Sequence, residues 1–148
     1  MPTADSVPLL TAMRTLQSAL DCFDRDAAEA LGLGRSDAQA LRFLVEHGPA
    51  SPGALMVELG LTSGSVTALV DRLERAGFTR RRPHQRDRRS LTVEATEAGA
   101  SALQAATRPL ADLTCKLSTR LNGDRSGAVV RQLADLARLV DWAGRSSA

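Results

Sequence analysis

The sequence predicts a mainly α-helical fold of six helices with a single two-stranded hairpin. Three observations point there. Apolar residues recur at helical spacing over most of the 148 residues. Two short helical stretches meet across Gly60-Leu61-Thr62, a connection that forces a sharp corner. Only residues 78–95 change to a period of two.

Each element has its own local reason. The first helix is expected over residues 7–31, where Leu9, Met13, Leu16, Leu20, Phe23, Ala27 and Ala30 form an apolar stripe opposite Arg14, Asp21, Asp24 and Arg25. Gly32 and Gly34 end it, since glycine accepts the left-handed conformation that stops a helix. A second helix is expected from Ser36, because Ser36 and Gln39 match a capping box, with Leu41, Phe43, Leu44 and Val45 as its apolar positions. A third begins at Ser51-Pro52: serine caps, and proline fits the first helical position because its missing N–H has no intrahelical partner there. Leu55, Met56 and Leu59 are its inward candidates.

Thr62 caps the fourth helix, whose Val66, Leu69, Val70 and Leu73 form one stripe before Gly77. Phe78–Arg82 and Leu91–Ala95 read as strands, joined by the polar, proline-led segment 83–90. Thr96 caps a fifth helix, with Glu97 favoured in its first turn by the helix dipole. Leu103, Ala106, Leu110, Leu113, Leu117 and Leu121 continue that helix, and Pro109 either kinks or splits it. Asn122-Gly123 is a strong break, followed by a final helix over residues 125–143.

Composition narrows the function. A length near 150 residues fits one domain, residues 1–148. Such a chain buries roughly 68–70% of its unfolded surface, enough for a core without disulfide or metal. The hydrophobic share of 43% and charged share of 24% are ordinary for a folded globular chain. No apolar run approaches the roughly 18 residues of a membrane span, so no membrane partner is expected. Met1-Pro2-Thr3-Ala4-Asp5 lacks the pattern of a signal peptide, and Cys22 and Cys115 are too few for a disulfide scaffold. A cytoplasmic location is expected. His47 and His84 are isolated, so neither a metal nor a cofactor is expected. The chain has no nucleophile–base constellation, phosphate loop or nucleophile elbow, and an enzyme is not expected.

Charge is concentrated rather than abundant. The total is +2, yet residues 70–90 hold Arg72, Arg75, Arg80, Arg81, Arg82, Arg86, Arg88 and Arg89 against Asp71, Glu74 and Asp87. That window is +5, which leaves −3 for the rest and resembles an electrostatic footprint for a polyanion. Helix, helix, helix, strand, strand over residues 35–95 is the order of a winged helix-turn-helix. In that arrangement the N-terminal end of the second helix of the pair enters the major groove of DNA. Here that end is Thr62, Ser63, Gly64 and Ser65, with Thr67 one turn on; Thr62 can cap, read the groove, or both. Arg72 and Arg75 lie further along and can reach the backbone. Arg86, Arg88 and Arg89 sit on the hairpin tip, where an arginine can enter a narrow minor groove.

Two stretches carry a closer resemblance. The run V-T-x-L-V-D-x-L-E-x-x-G at residues 66–77, followed by D-x-R-S-x-x-V-x-x-T-x-x-G at residues 87–99, resembles the MarR family of bacterial transcription regulators. The resemblance implies a homodimer that binds a pseudo-palindromic double-stranded DNA operator, usually as a repressor released by a small phenolic or lipophilic effector. It places Thr62, Ser63, Ser65 and Thr67 on the groove-reading face, and makes Asp71 and Arg89 an acid–arginine pair tying recognition helix to wing. It also explains the long apolar stripes of residues 7–31 and 97–144 as dimerisation helices, since an unpaired stripe must bury itself somewhere. Met13, Arg14 and Gln17 are candidate effector-pocket residues, although core packing explains Met13 equally well.

Two rival functions fit the same fold. An architectural or protein-interaction module would lack an effector response and any sequence preference. The resemblance also raises a cysteine redox sensor, in which a cysteine near the start of the first helix is supported by tyrosines; this chain has no tyrosine, Cys22 lies late in its helix, and Asp21, Asp24 and Asp26 around it would raise a thiol pKa. Cys22 and Cys115 are expected to be packing residues.

Overall fold

Hydrogen bonds within a few residues of each other set most boundaries in the computed structural model. The structure describes residues 6–83 and 91–146, with side-chain surroundings for 7–83 and 91–140. Ser51 accepts from Ala54 N at 3.1 Å and starts α3, Pro52–Leu59. Thr62 accepts from Ser65 N at 3.3 Å and starts α4, Ser63–Arg75. Thr96 accepts from Gly99 N at 3.0 Å and starts α5, Glu97–Ser146. Each hydroxyl satisfies a backbone donor that the first turn leaves free, as its sequence position predicts. At Gly32, Gly60 and Gly77 the backbone turns left-handed. There the next residue's N–H reaches back across the helix end: Leu33 to Ala28 O, Leu61 to Met56 O and Phe78 to Leu73 O.

The second helix differs from its expected start. α1 spans Ser6–Ala30 and α2 spans Arg35–His47, with Gly34 at the N-cap and no side-chain cap. The Ser36–Gln39 capping box does not form. The helix begins at Arg35, ahead of Ser36, and Asp37 in its first turn is buried and bonded to Arg72 of α4.

Two compact units divide the chain, residues 1–107 and 108–148. In the first, Leu41 and Leu44 of α2, Leu55 of α3, and Val66, Leu69, Val70 and Leu73 of α4 are buried with Val93 and Leu103. Burial of each such side chain stabilises by about 1.5–3 kcal/mol. Val45, expected inward, is exposed, because α2 faces the core through Leu41 and Leu44. α3 and α4 are bent by 108° across a break of at most four residues. β1, Thr79–Pro83, pairs antiparallel with β2, Leu91–Ala95, with Arg81 opposite Val93 and Arg80 opposite Glu94. Ala50 adds a further bridge to Val93, exchanging bonds of 2.9 and 2.8 Å, and ties the α2–α3 connection to the sheet.

The helix count is five among the described residues, not six. α5 runs on through Pro109, whose missing N–H costs it one helical bond, and leaves helical dihedrals at Asn122 (φ 58°, ψ 155°). The predicted break is therefore real but one residue wide, and helix resumes at once, so two expected helices form one interrupted element. Asparagine tolerates positive φ better than other non-glycine residues. In the unit 108–148, Leu113, Leu117, Val130, Leu133, Leu139 and Val140 are exposed. No single helix among the described residues is long and apolar enough to cross a membrane.

Candidate nucleic-acid interface

The N-terminal end of α4 is an exposed rim of small side chains. Thr62, Ser63, Gly64, Ser65 and Thr67 are all exposed, while Val66, Leu69, Val70 and Leu73 hold the helix to the core. The Thr62 and Ser65 hydroxyls lie 2.9 Å apart, and Thr67 donates to Ser63 O at 3.0 Å. The hydroxyls are thus oriented by their own helix, and no bulky side chain stands between the backbone and an incoming ligand. The cap of Thr62 and its exposure coexist, so the two roles open to it from sequence are geometrically compatible.

Among the described residues, four arginines of the basic segment, Arg72, Arg80, Arg81 and Arg82, are ion-paired within the chain. Arg72 donates to buried Asp37 through Nε at 2.8 Å and Nη2 at 2.6 Å, and these bonds hold its guanidinium above the usual range. Asp37 is 6% exposed and Arg72 47%, so α4 is pinned to α2 while one side of the guanidinium stays in solvent. Arg81 reaches back to α4, binding Asp71 Oδ1 at 2.7 Å and Glu74, and its pKa is raised chiefly by the Asp71 hydrogen bond. Glu74 also accepts from Arg81 N at 2.7 Å. Arg80 and Arg82 pair with Glu94. Arg75 is exposed and donates to Asp71 O at 3.2 Å.

The expected site residues fall into three groups. Thr62 through Thr67 and Arg75 lie along one helix, as anticipated. Arg72 shares that helix but is engaged by Asp37. Arg86, Arg88 and Arg89 lie outside the described residues, and so does the Asp71–Arg89 pair; Asp71 itself is bound by Arg81. Sequence reasoning missed Asp37, Glu74, Arg81 and Glu94 as organising residues. Strand alternation offered a signal for Arg81, since it shares the inward face with Thr79. Nothing local marked Asp37.

On α1, Arg14 lines an open hollow with Thr11, Thr15, Ser18, Ala19 and Cys22, whereas Met13 and Gln17 do not line it. Cys22 and Cys115 are both exposed, contrary to a packing role within the chain, because the helix faces that carry them are uncovered. Among the described residues no group of three His, Cys, Asp or Glu side chains could hold a metal.

A short-turn helix pair, a buried three-helix core and a two-stranded wing make this lobe a winged helix-turn-helix, the class used by DNA-binding transcription regulators. Known proteins agree. The MarR family model matches residues 31–90. The uncharacterized HTH-type transcriptional regulator YcgE of Bacillus subtilis is 39% identical over 104 residues, covering 70% of this chain and 68% of that one. The fold is similar to a MarR family protein from Bacillus stearothermophilus, with a TM-score of 0.76 at 21% identity over 95% of this chain and 99% of the other. It is also similar to a MepR variant from S. aureus solved bound to an oligodeoxyribonucleotide, with a TM-score of 0.62 at 17% identity over 89% and 97%. The chain belongs to the MarR family. It is a transcriptional regulator with a DNA-binding winged helix, in a family of regulators rather than enzymes.

Proposed function

We propose that the protein is a repressor that binds a pseudo-palindromic operator as a homodimer in the cytoplasm and is released by a small phenolic or lipophilic effector. One observation carries the sequence-specific part: Thr62, Ser63, Gly64, Ser65 and Thr67 at the start of α4 are exposed, while Val66, Leu69, Val70 and Leu73 lock the helix into the core. A rigid helix end with short hydroxyl side chains can approach base edges closely, and Arg75 lies where it can meet the backbone. The oligodeoxyribonucleotide bound to the MepR variant supports DNA as partner.

The uncovered apolar faces support the dimer. Val7, Leu9, Leu10, Leu16 and Leu20 of α1 are exposed, as are Leu113, Leu117, Val130, Leu133, Leu139 and Val140 of the C-terminal unit. Stripes of that size are buried by a second copy in most two-fold assemblies. The effector part draws on the hollow beside Arg14, whose cation would suit an acidic phenol. Selection of bound fragments from the source genome tests the whole reading. An inverted repeat with half-sites about one helical turn, roughly 34 Å, apart is expected. Recovery of fragments without shared sequence would favour an architectural protein instead.

A further inference from the structure

The outer face of the wing holds two arginines on one carboxylate. Strand alternation puts Arg80 and Arg82 on the side away from buried Val93, and the register sets Glu94 directly across from Arg80. Arg80 Nε donates to Glu94 Oε1, and Arg82 Nε lies 2.6 Å from the same oxygen. Both arginine side chains remain 54% exposed, and Glu94 is 20% exposed. Ion pairs at this exposure add little to folding, so the core does not require the arrangement. It does change the electrostatics. Two cations that would otherwise meet a polyanion are occupied by an internal anion of the same chemistry as a phosphate oxygen.

We propose that Glu94 is a specificity-determining residue that withholds Arg80 and Arg82 from phosphate and so limits binding to non-operator DNA, an inference that rests on the DNA-binding reading. Sequence-independent binding uses any cation free to reach a phosphate, whereas operator binding uses those that fixed docking places there. Glu94 therefore acts chiefly on the first.

The test is a salt titration of the full-length protein with a random duplex of about 30 bp. In Glu94→Gln each arginine that gains a phosphate is expected to steepen the slope of log affinity against log salt by about 0.9, and to tighten binding about eightfold at 0.1 M salt. Glu29→Gln is the control. It removes the same charge from an exposed position on α1 that has no ion-pair partner among the described residues, and less than a twofold change is expected. Adding Arg80→Gln and Arg82→Gln to Glu94→Gln should return the slope to that of the unaltered protein. An unchanged slope in Glu94→Gln, an equal shift in Glu29→Gln, or no reversal in the triple variant would overturn the role of Glu94. If the unaltered protein binds no duplex at any salt concentration, the DNA-binding reading itself fails.

Discussion

Gly99 sits where a single methyl group should reverse the usual sign of a helix substitution. It lies in the first turn of α5, where alanine is ordinarily preferred over glycine by about 0.8–1 kcal/mol. A Cβ at Gly99 would stand 2.3 Å from Phe78 O and 3.0 Å from Phe78 C and Cα, all backbone atoms. Relief needs a shift of about 1 Å, since carbon–oxygen contacts settle near 3.3 Å. The strand entrance resists that shift, because Phe78 O accepts from Thr96 N at 2.9 Å and Gly77 O accepts from Thr96 Oγ1 at 2.6 Å. Overpacking costs about 1–3 kcal/mol and a lost hydrogen bond about 1 kcal/mol. Subtracting the helix-propensity gain leaves Gly99→Ala destabilised by about 1–3 kcal/mol. Urea unfolding followed by circular dichroism, at fixed protein concentration, measures it. Gly53→Ala on α3 is the companion, since its Cβ would meet only Ser51 Oγ at 3.8 Å, and it should be neutral or stabilising. A Gly99→Ala protein as stable as the original would refute the close approach of α5 to the base of the wing.

Other consequences are simpler to check. Gly34 has φ −71° and ψ 159°, close to the backbone of the capping residues Ser51 and Thr62, so Gly34→Ser should supply the missing cap and raise stability by a few tenths of a kcal/mol; a loss in urea unfolding would contradict it. Arg89→Ala should weaken operator binding by about 1–3 kcal/mol in an anisotropy titration while leaving the sedimentation of the free protein unchanged. If a dimer neutralises about eight phosphates, log operator affinity should fall against log salt with a slope near −7, and a flat dependence would remove the electrostatic component.

The elements most legible in the sequence are those fixed within four residues. Ser51, Thr62 and Thr96 cap where their spacing places them, and the exposed face of α4 follows from the burial of Val66, Leu69, Val70 and Leu73. What escaped the sequence is nonlocal. Asp37 finds Arg72 35 residues away, and no spacing near Asp37 announces that pair. The +5 of residues 70–90 overstates the free positive charge, because Asp37 and Glu94 supply acids from outside that window. Charge counted along a chain measures a surface only after its internal pairs are known. The bridge from Ala50 to Val93 was likewise invisible, as one residue of strand leaves no periodicity.

The most direct measurement is the affinity of the purified protein for its selected inverted repeat against a scrambled duplex of equal length and composition, at one physiological salt concentration. A preference of at least about 10³-fold, saturating at two subunits per repeat, is expected. Equal affinity for the two duplexes would contradict sequence reading by the exposed end of α4.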